Sequence, residues 1–151
     1  MKATARVLAS CLLAATFQSV FGASNSTADL SVYFEAGCYY CIQYFNTIIR
    51  PTYPALKTIL NLKLYPWGNQ QAFEWKGHDL DGFSCQHGIE ECASNLFMAC
   101  AVAEVEDYSK VIDLVMCMMG FSGNDKNFPT FQVSWTFCSD QAGVDEAAIK
   151  E

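Results

Sequence analysis

The sequence predicts an α/β domain, on three observations. A short apolar and aromatic segment, Leu30-Ser31-Val32-Tyr33-Phe34, lies just before Gly37 and has the composition of a buried strand. A run from Tyr39 to Ile49 follows, with Cys41, Ile42, Phe45, Ile48 and Ile49 at helical spacing, and Leu62 to Tyr65 then alternates as a second strand. Strand, helix, strand in that order implies a parallel pair joined by a right-handed crossover.

The chain of 151 residues has the length of one domain. Met1-Lys2 and Arg6 precede a mostly apolar run from Val7 to Val20, and Phe21-Gly22-Ala23-Ser24 follow it. That is the layout of a secretory signal peptide, expected to occupy residues 1–23 with the cut after Gly22 or Ala23, leaving 24–151 as the mature domain. Its apolar run of about 14 residues is short of the roughly 20 that a membrane helix needs, and no other apolar stretch is longer, so no membrane span is expected. Just past the cut, Asn25-Ser26-Thr27 is a glycosylation acceptor sequence.

After the first helix, Arg50-Pro51 is expected to end or kink it, because the residue before a proline avoids the α region. Pro54 can begin another turn, with Ala55, Leu56, Ile59 and Leu60 as its apolar stripe. Pro66-Trp67-Gly68-Asn69 closes the second strand, and Ala72 to Trp75 alternates as a short edge strand. From Glu90 the pattern turns helical. Glu90 and Glu91 suit a helix N-terminus, Cys92, Leu96, Ala99, Cys100 and Ala103 recur at intervals of three and four, and a second amphipathic piece runs from Tyr108 to Met119. Residues 121–129 read as a loop, Trp135 to Cys138 as helix or strand, and 144–151 as a last helix beginning near Gly143.

Composition narrows the function classes. The net charge is −7, and loss of Lys2 and Arg6 with the leader would take it to −9, a surface that repels phosphate backbones and excludes nucleic acid as a partner. Of eight cysteines, Cys11 falls in the leader, and Cys38, Cys41, Cys85, Cys92, Cys100, Cys117 and Cys138 remain. So many in an exported chain indicate disulfides. Seven cannot all pair internally, so a thiol stays free, a partner supplies one, or the chain is part of a longer one.

Cys38-Tyr39-Tyr40-Cys41 is placed where a strand gives way to a helix. The unpaired N–H groups of a first helical turn and the helix dipole favour a thiolate at the first cysteine. Cys38 is therefore the candidate nucleophile of thiol–disulfide exchange. Cys41, three residues on, is the candidate resolving thiol, and Tyr39 and Tyr40 offer aromatic contact. Two rival readings are a permanent structural bridge and a zinc pair completed by His78, Cys85, His87 or Cys92, which form no second compact Cys-x-x-Cys unit. Hydrolase signatures such as G-x-S-x-G and H-E-x-x-H do not occur.

Downstream, Cys85, Gln86, His87, Gly88, Glu91, Cys92, Asn95 and Cys100 stand at fixed intervals. This resembles the long signature of the gamma-interferon-inducible lysosomal thiol reductase family, with every specified position present, and the resemblance runs from about Leu30 to the end of the chain. It implies a thioredoxin-like fold with a helical insertion, here at about 85–138, and reduction of protein disulfides at acidic pH in lysosomes or after secretion. It maps the active pair onto Cys38 and Cys41. The partners implied are disulfide-containing proteins as substrates and a small thiol or a protein as reductant, with no cofactor or metal. The signature itself is expected to be structural, with Cys85, Cys92 and Cys100 bracing the insertion and Gln86, His87 and Asn95 making local hydrogen bonds.

Members of that family continue beyond the point where this sequence stops, with a proline-bearing segment, further strands and a last helix. Pro129 is the last proline here and precedes that part. The fold is accordingly expected to be incomplete at its C-terminus, with one edge of the first strand unpaired. A fragment of a longer enzyme and a short isoform both fit. The rival function is a secreted, permanently bridged binding or structural protein on the same scaffold.

Overall fold

The structure is a computed structural model that describes residues 27–72, 82–121 and 131–150. The leader, the Asn25 acceptor and His78 lie outside the described residues.

Strand β1 spans Ala28–Phe34 and β2 spans Leu60–Pro66. They pair in parallel, from Ala28 opposite Leu60 to Phe34 opposite Pro66, as the sequence predicts. Alternation decides the faces. Val32, Phe34, Leu62 and Leu64 point inward and are buried, while Tyr33 and Tyr65 stack on the outer face with ring centroids 4.6 Å apart. On that outer face Asp29 accepts a hydrogen bond from the Asn61 amide (2.6 Å). Among the described residues β1 pairs with β2 alone. The far edge of β2 is partly covered, since Leu64 N–H donates to the Tyr108 hydroxyl (2.8 Å).

The crossover is one continuous helical run in three pieces: α1 over Tyr39–Tyr44, a π-helical turn over Phe45–Ile49, and α2 over Arg50–Leu56. Of the two expectations at Arg50-Pro51, an end or a kink, the helix does not end there, and a π turn precedes the proline. Pro51 instead enters at the start of α2, directly after the π turn. A proline lacks an N–H and crowds the carbonyl four residues back, and a wider turn at that point accommodates both defects. Ile42, Phe45 and Ile49 reach the core, where Phe34 and Phe45 meet edge to face.

Two-residue strands β3 (Gln71–Ala72) and β4 (Phe83–Ser84) pair antiparallel. The short strand expected over 72–75 is thus described only at its start. Helices α3 (Ile89–Glu104), α4 (Tyr108–Phe121), α5 (Phe131–Ala142) and α6 (Glu146–Lys150) follow, and the ambiguous segment around Trp135 is helical. Met98 and Ala101 of α3 and Val111, Leu114, Val115 and Met119 of α4 close the core over the inner sheet face. A disulfide joins Cys117 of α4 to Cys138 of α5, and Phe97 stacks on Trp135 at 4.8 Å. No helix among the described residues is long and apolar enough to cross a membrane.

The two faces of the sheet should respond differently to truncation. Leu64→Ala removes a side chain 1% exposed and is expected to cost about 2–5 kcal/mol. Tyr33→Ala, on the outer face, loses one cross-strand pair worth about 0.2–1 kcal/mol. Urea unfolding of the two variants measures the difference.

Candidate active site

Cys38 is the N-cap residue of α1, with φ −75° and ψ 116°. Its N–H donates to the Glu35 carbonyl (3.3 Å), and its own carbonyl accepts the first helical bond, from Ile42 N–H (3.0 Å). No side chain caps this helix, so the first-turn N–H groups stay available at the end where Cys38 sits.

Cys41 lies one turn inside. Burial pushes its thiol up to about 11, and a hydrogen bond to the Cys38 side chain and the charges of Cys38 and Glu35 act in the same direction, against a backbone hydrogen bond from Glu35. The Cys41 thiol thus has its proton held by its surroundings. Cys41 keeps its proton across the neutral and acidic range. Both cysteines are half-buried free thiols, whereas Cys85 is bridged to Cys92 and Cys117 to Cys138. The bridge removes Cys85 and Cys92 from the zinc set considered from the sequence. Tyr39 and Tyr40 flank the pair, 63% and 80% exposed, and touch edge to face at 5.6 Å. A depression of about 340 Å³ runs along residues 30–34 of β1 and is closed by Tyr40, Cys41, Tyr44 and Phe45.

Of the eight spaced residues, Glu91 and Asn95 bond to the segment that enters this pair. The Cys85–Cys92 bridge, with Cα atoms 5.5 Å apart, folds the turn before α3 back on the helix. Gly88 caps α3 at φ 101° and ψ 178°, a conformation that side-chain-bearing residues rarely adopt. Glu91, 2% exposed, accepts from Gly37 N–H (2.9 Å), from His87 N–H (3.1 Å) and at 2.6 Å from His87 Nδ1. Asn95, fully buried, accepts from Ala36 N–H through Oδ1 (2.9 Å) and donates to Gln70 Oε1 (3.2 Å). Gln86 Oε1 accepts from the Asn69 amide (3.3 Å). Cys100, five residues beyond Asn95 on α3, is a free thiol.

Local hydrogen bonds are the expectation for Gln86, His87 and Asn95, but the bond between Asn95 and Ala36 spans 59 residues of sequence, and that between Glu91, for which no such bond is expected, and Gly37 spans 54. The sequence reading also passes over Glu35. Its buried carboxylate accepts from Asn69 N–H and faces His87 Nδ1 at 3.7 Å. Gly68, at φ 38°, makes room for it, because a Cβ there would overlap the Glu35 side chain. The signal was its place three residues before Cys38, in a strand end otherwise apolar. Glu35, His87 and Glu91 bring one ligand atom each within 4.8 Å of one another, the grouping among the described residues most like a cation site. Backbone donors and the imidazole already engage these carboxylates.

A family model described as gamma interferon inducible lysosomal thiol reductase matches residues 29–142, which takes in the pair, the junction and the whole signature. The chain belongs to this family. A Carassius auratus gamma-interferon-inducible lysosomal thiol reductase is 34% identical over 93 residues, 62% of this chain and 36% of that protein. The mouse protein of the same name is 31% identical over 105 residues, 69% and 41% of the two chains. GILT-like protein 2 of Drosophila melanogaster is 30% identical over 107 residues, 70% and 49%. The chain thus spans about half or less of the length of these family members.

The hold on the Cys41 proton is measurable. The folded state holds the Cys41 proton more tightly than an ordinary thiol at 9.0 does, so its contribution to stability is constant below that value and falls as pH rises towards 11. Alkylation followed by peptide mapping should show Cys41 reacting slowly up to pH 9 and accelerating towards 11. A Cys41 rate that levels off near 9 would contradict this.

Proposed function

We propose that the protein is a thiol–disulfide oxidoreductase on a thioredoxin-like scaffold, reducing protein disulfides through Cys38 and Cys41. The observation that carries the reading is the placement of the pair: a free thiol at a helix N-cap and a second one turn inside whose proton is held by burial, in a chain whose two described bridges lie elsewhere. A permanent Cys38–Cys41 bridge needs no helix N-cap at its first sulfur, while exchange uses one.

Cys38, as thiolate, attacks one sulfur of a substrate disulfide. The substrate S–S bond breaks, a mixed disulfide forms, and the departing sulfur takes a proton from solvent. Cys41 then loses its proton, attacks the Cys38 sulfur and expels the second substrate thiol. Two electrons have moved, and the Cys38–Cys41 disulfide remains. A small thiol or a partner reductase returns it to the dithiol. Exposed Tyr39 and Tyr40 and the groove along β1 give the substrate polypeptide an apolar landing surface beside the pair.

Relatives named lysosomal thiol reductases support an acidic, lysosomal setting, and the leader and the Asn25 sequon fit export by that route or secretion. The carboxylate-rich surface is partly neutralised there.

Cys38→Ser is expected to abolish reduction of a disulfide substrate such as insulin. Cys41→Ser should keep the first step and accumulate the mixed disulfide, visible as a mass adduct on Cys38. Unchanged reduction by Cys38→Ser sinks the assignment.

A further inference from the structure

Building on that redox reading, we propose that Glu91 and Asn95 are positioning residues for Cys38, acting through the backbone of Ala36 and Gly37. The β1–β2 ladder ends at Phe34 opposite Pro66, and the first bond of α1 is the one from Ile42 N–H to the Cys38 carbonyl. The N–H groups of Ala36 and Gly37 fall between the two elements and belong to neither. Ala36 is 3% exposed, so water does not serve its donor. The acceptors come from α3 instead, and residues 91 and 95, four apart, present them from one face of that helix.

Each acceptor is itself held. Asn95 is anchored by its amide on Gln70, and Glu91 by the N–H and ring of His87, with the Cys85–Cys92 bridge closing that turn. Neither oxygen can swing away without breaking a second bond. The fit is close, because a Cβ on Gly37 would come within 2.7 Å of Glu91 Oε2 and 2.8 Å of His87 Cβ. Two consecutive peptide planes are thereby fixed immediately before Cys38. They set the direction in which the chain leaves β1, and with it where the Cys38 sulfur lies against the first turn of α1 and against Cys41. This gives the spaced signature a role in the redox centre that bracing alone does not require.

Cys100 supplies an internal control. It is a free thiol on the helix that carries both positioning residues, five residues or about 7.5 Å of rise beyond Asn95, and takes no part in the hydrogen bonds that hold the junction. Iodoacetamide rates for Cys38 and Cys100 are measured by peptide mapping in the folded, reduced protein and in Glu91→Ala, Asn95→Ala and Glu91→Gln. The alanine variants are expected to slow Cys38 about tenfold, roughly the effect of one net hydrogen bond, with Cys100 unchanged. Glu91→Gln keeps an oxygen for Gly37 N–H and should slow Cys38 only about two- to threefold, since it loses the charge assistance. Where an alanine variant does not fold, Glu91→Gln carries the test alone. An unchanged Cys38 rate, or equal changes at Cys38 and Cys100, overturns the proposal. Alkylation needs no turnover, so this result is independent of whether Cys38→Ser abolishes disulfide reduction. Only the latter judges the redox reading itself.

Discussion

The N–H groups of Ala36 and Gly37 leave the β1 ladder before α1 begins, and neither element can accept them. The buried Ala36 donor must find an acceptor, and for both N–H groups it comes from a helix more than fifty residues away. Much of the molecule follows from that requirement. Helix α3 must lie against the end of the sheet, the turn before it must be drawn back by the Cys85–Cys92 bridge, and Gly88 must take a backbone angle open to glycine. The junction is held by hydrogen bonds of fixed direction where apolar packing alone would leave it free to slide.

The cysteines divide by the same logic. Two bridges sit where structure needs them, one closing the turn before α3 and one tying α4 to α5. Cys38 and Cys41 are thiols where a strand end, a helix start and a buried carboxylate, Glu35, come together, and Cys100 is a third free thiol on α3. Burial holds the proton on Cys41, one turn inside the helix that Cys38 caps.

Much of this was legible in the sequence, for physical reasons that differ by element. The parallel pair and its crossover announce themselves through two apolar strands around a helical stripe, and the register in the structure keeps Val32, Phe34, Leu62 and Leu64 inward as that pattern demands. The π turn at Phe45–Ile49 was hidden, because a proline is read as a stop or a kink unless the turn before it can widen. Helix α5 was hidden as well, since the stretch around Trp135 fits either period. The pair Cys38 and Cys41 stood out by chemistry and spacing. The function of Glu91 and Asn95 did not, because no local pattern reveals which distant N–H groups a buried carboxylate or amide will serve. Glu35 escaped for the same reason.

Amide hydrogen exchange at Ala36 and Gly37 tests the central claim most directly. Held by Asn95 and Glu91, both N–H groups should exchange as slowly as those of the paired residues of β1, although they lie outside its ladder. Exchange at the rate of an open turn, with β1 itself protected, would mean that the junction is not clamped and that the account of this site is wrong.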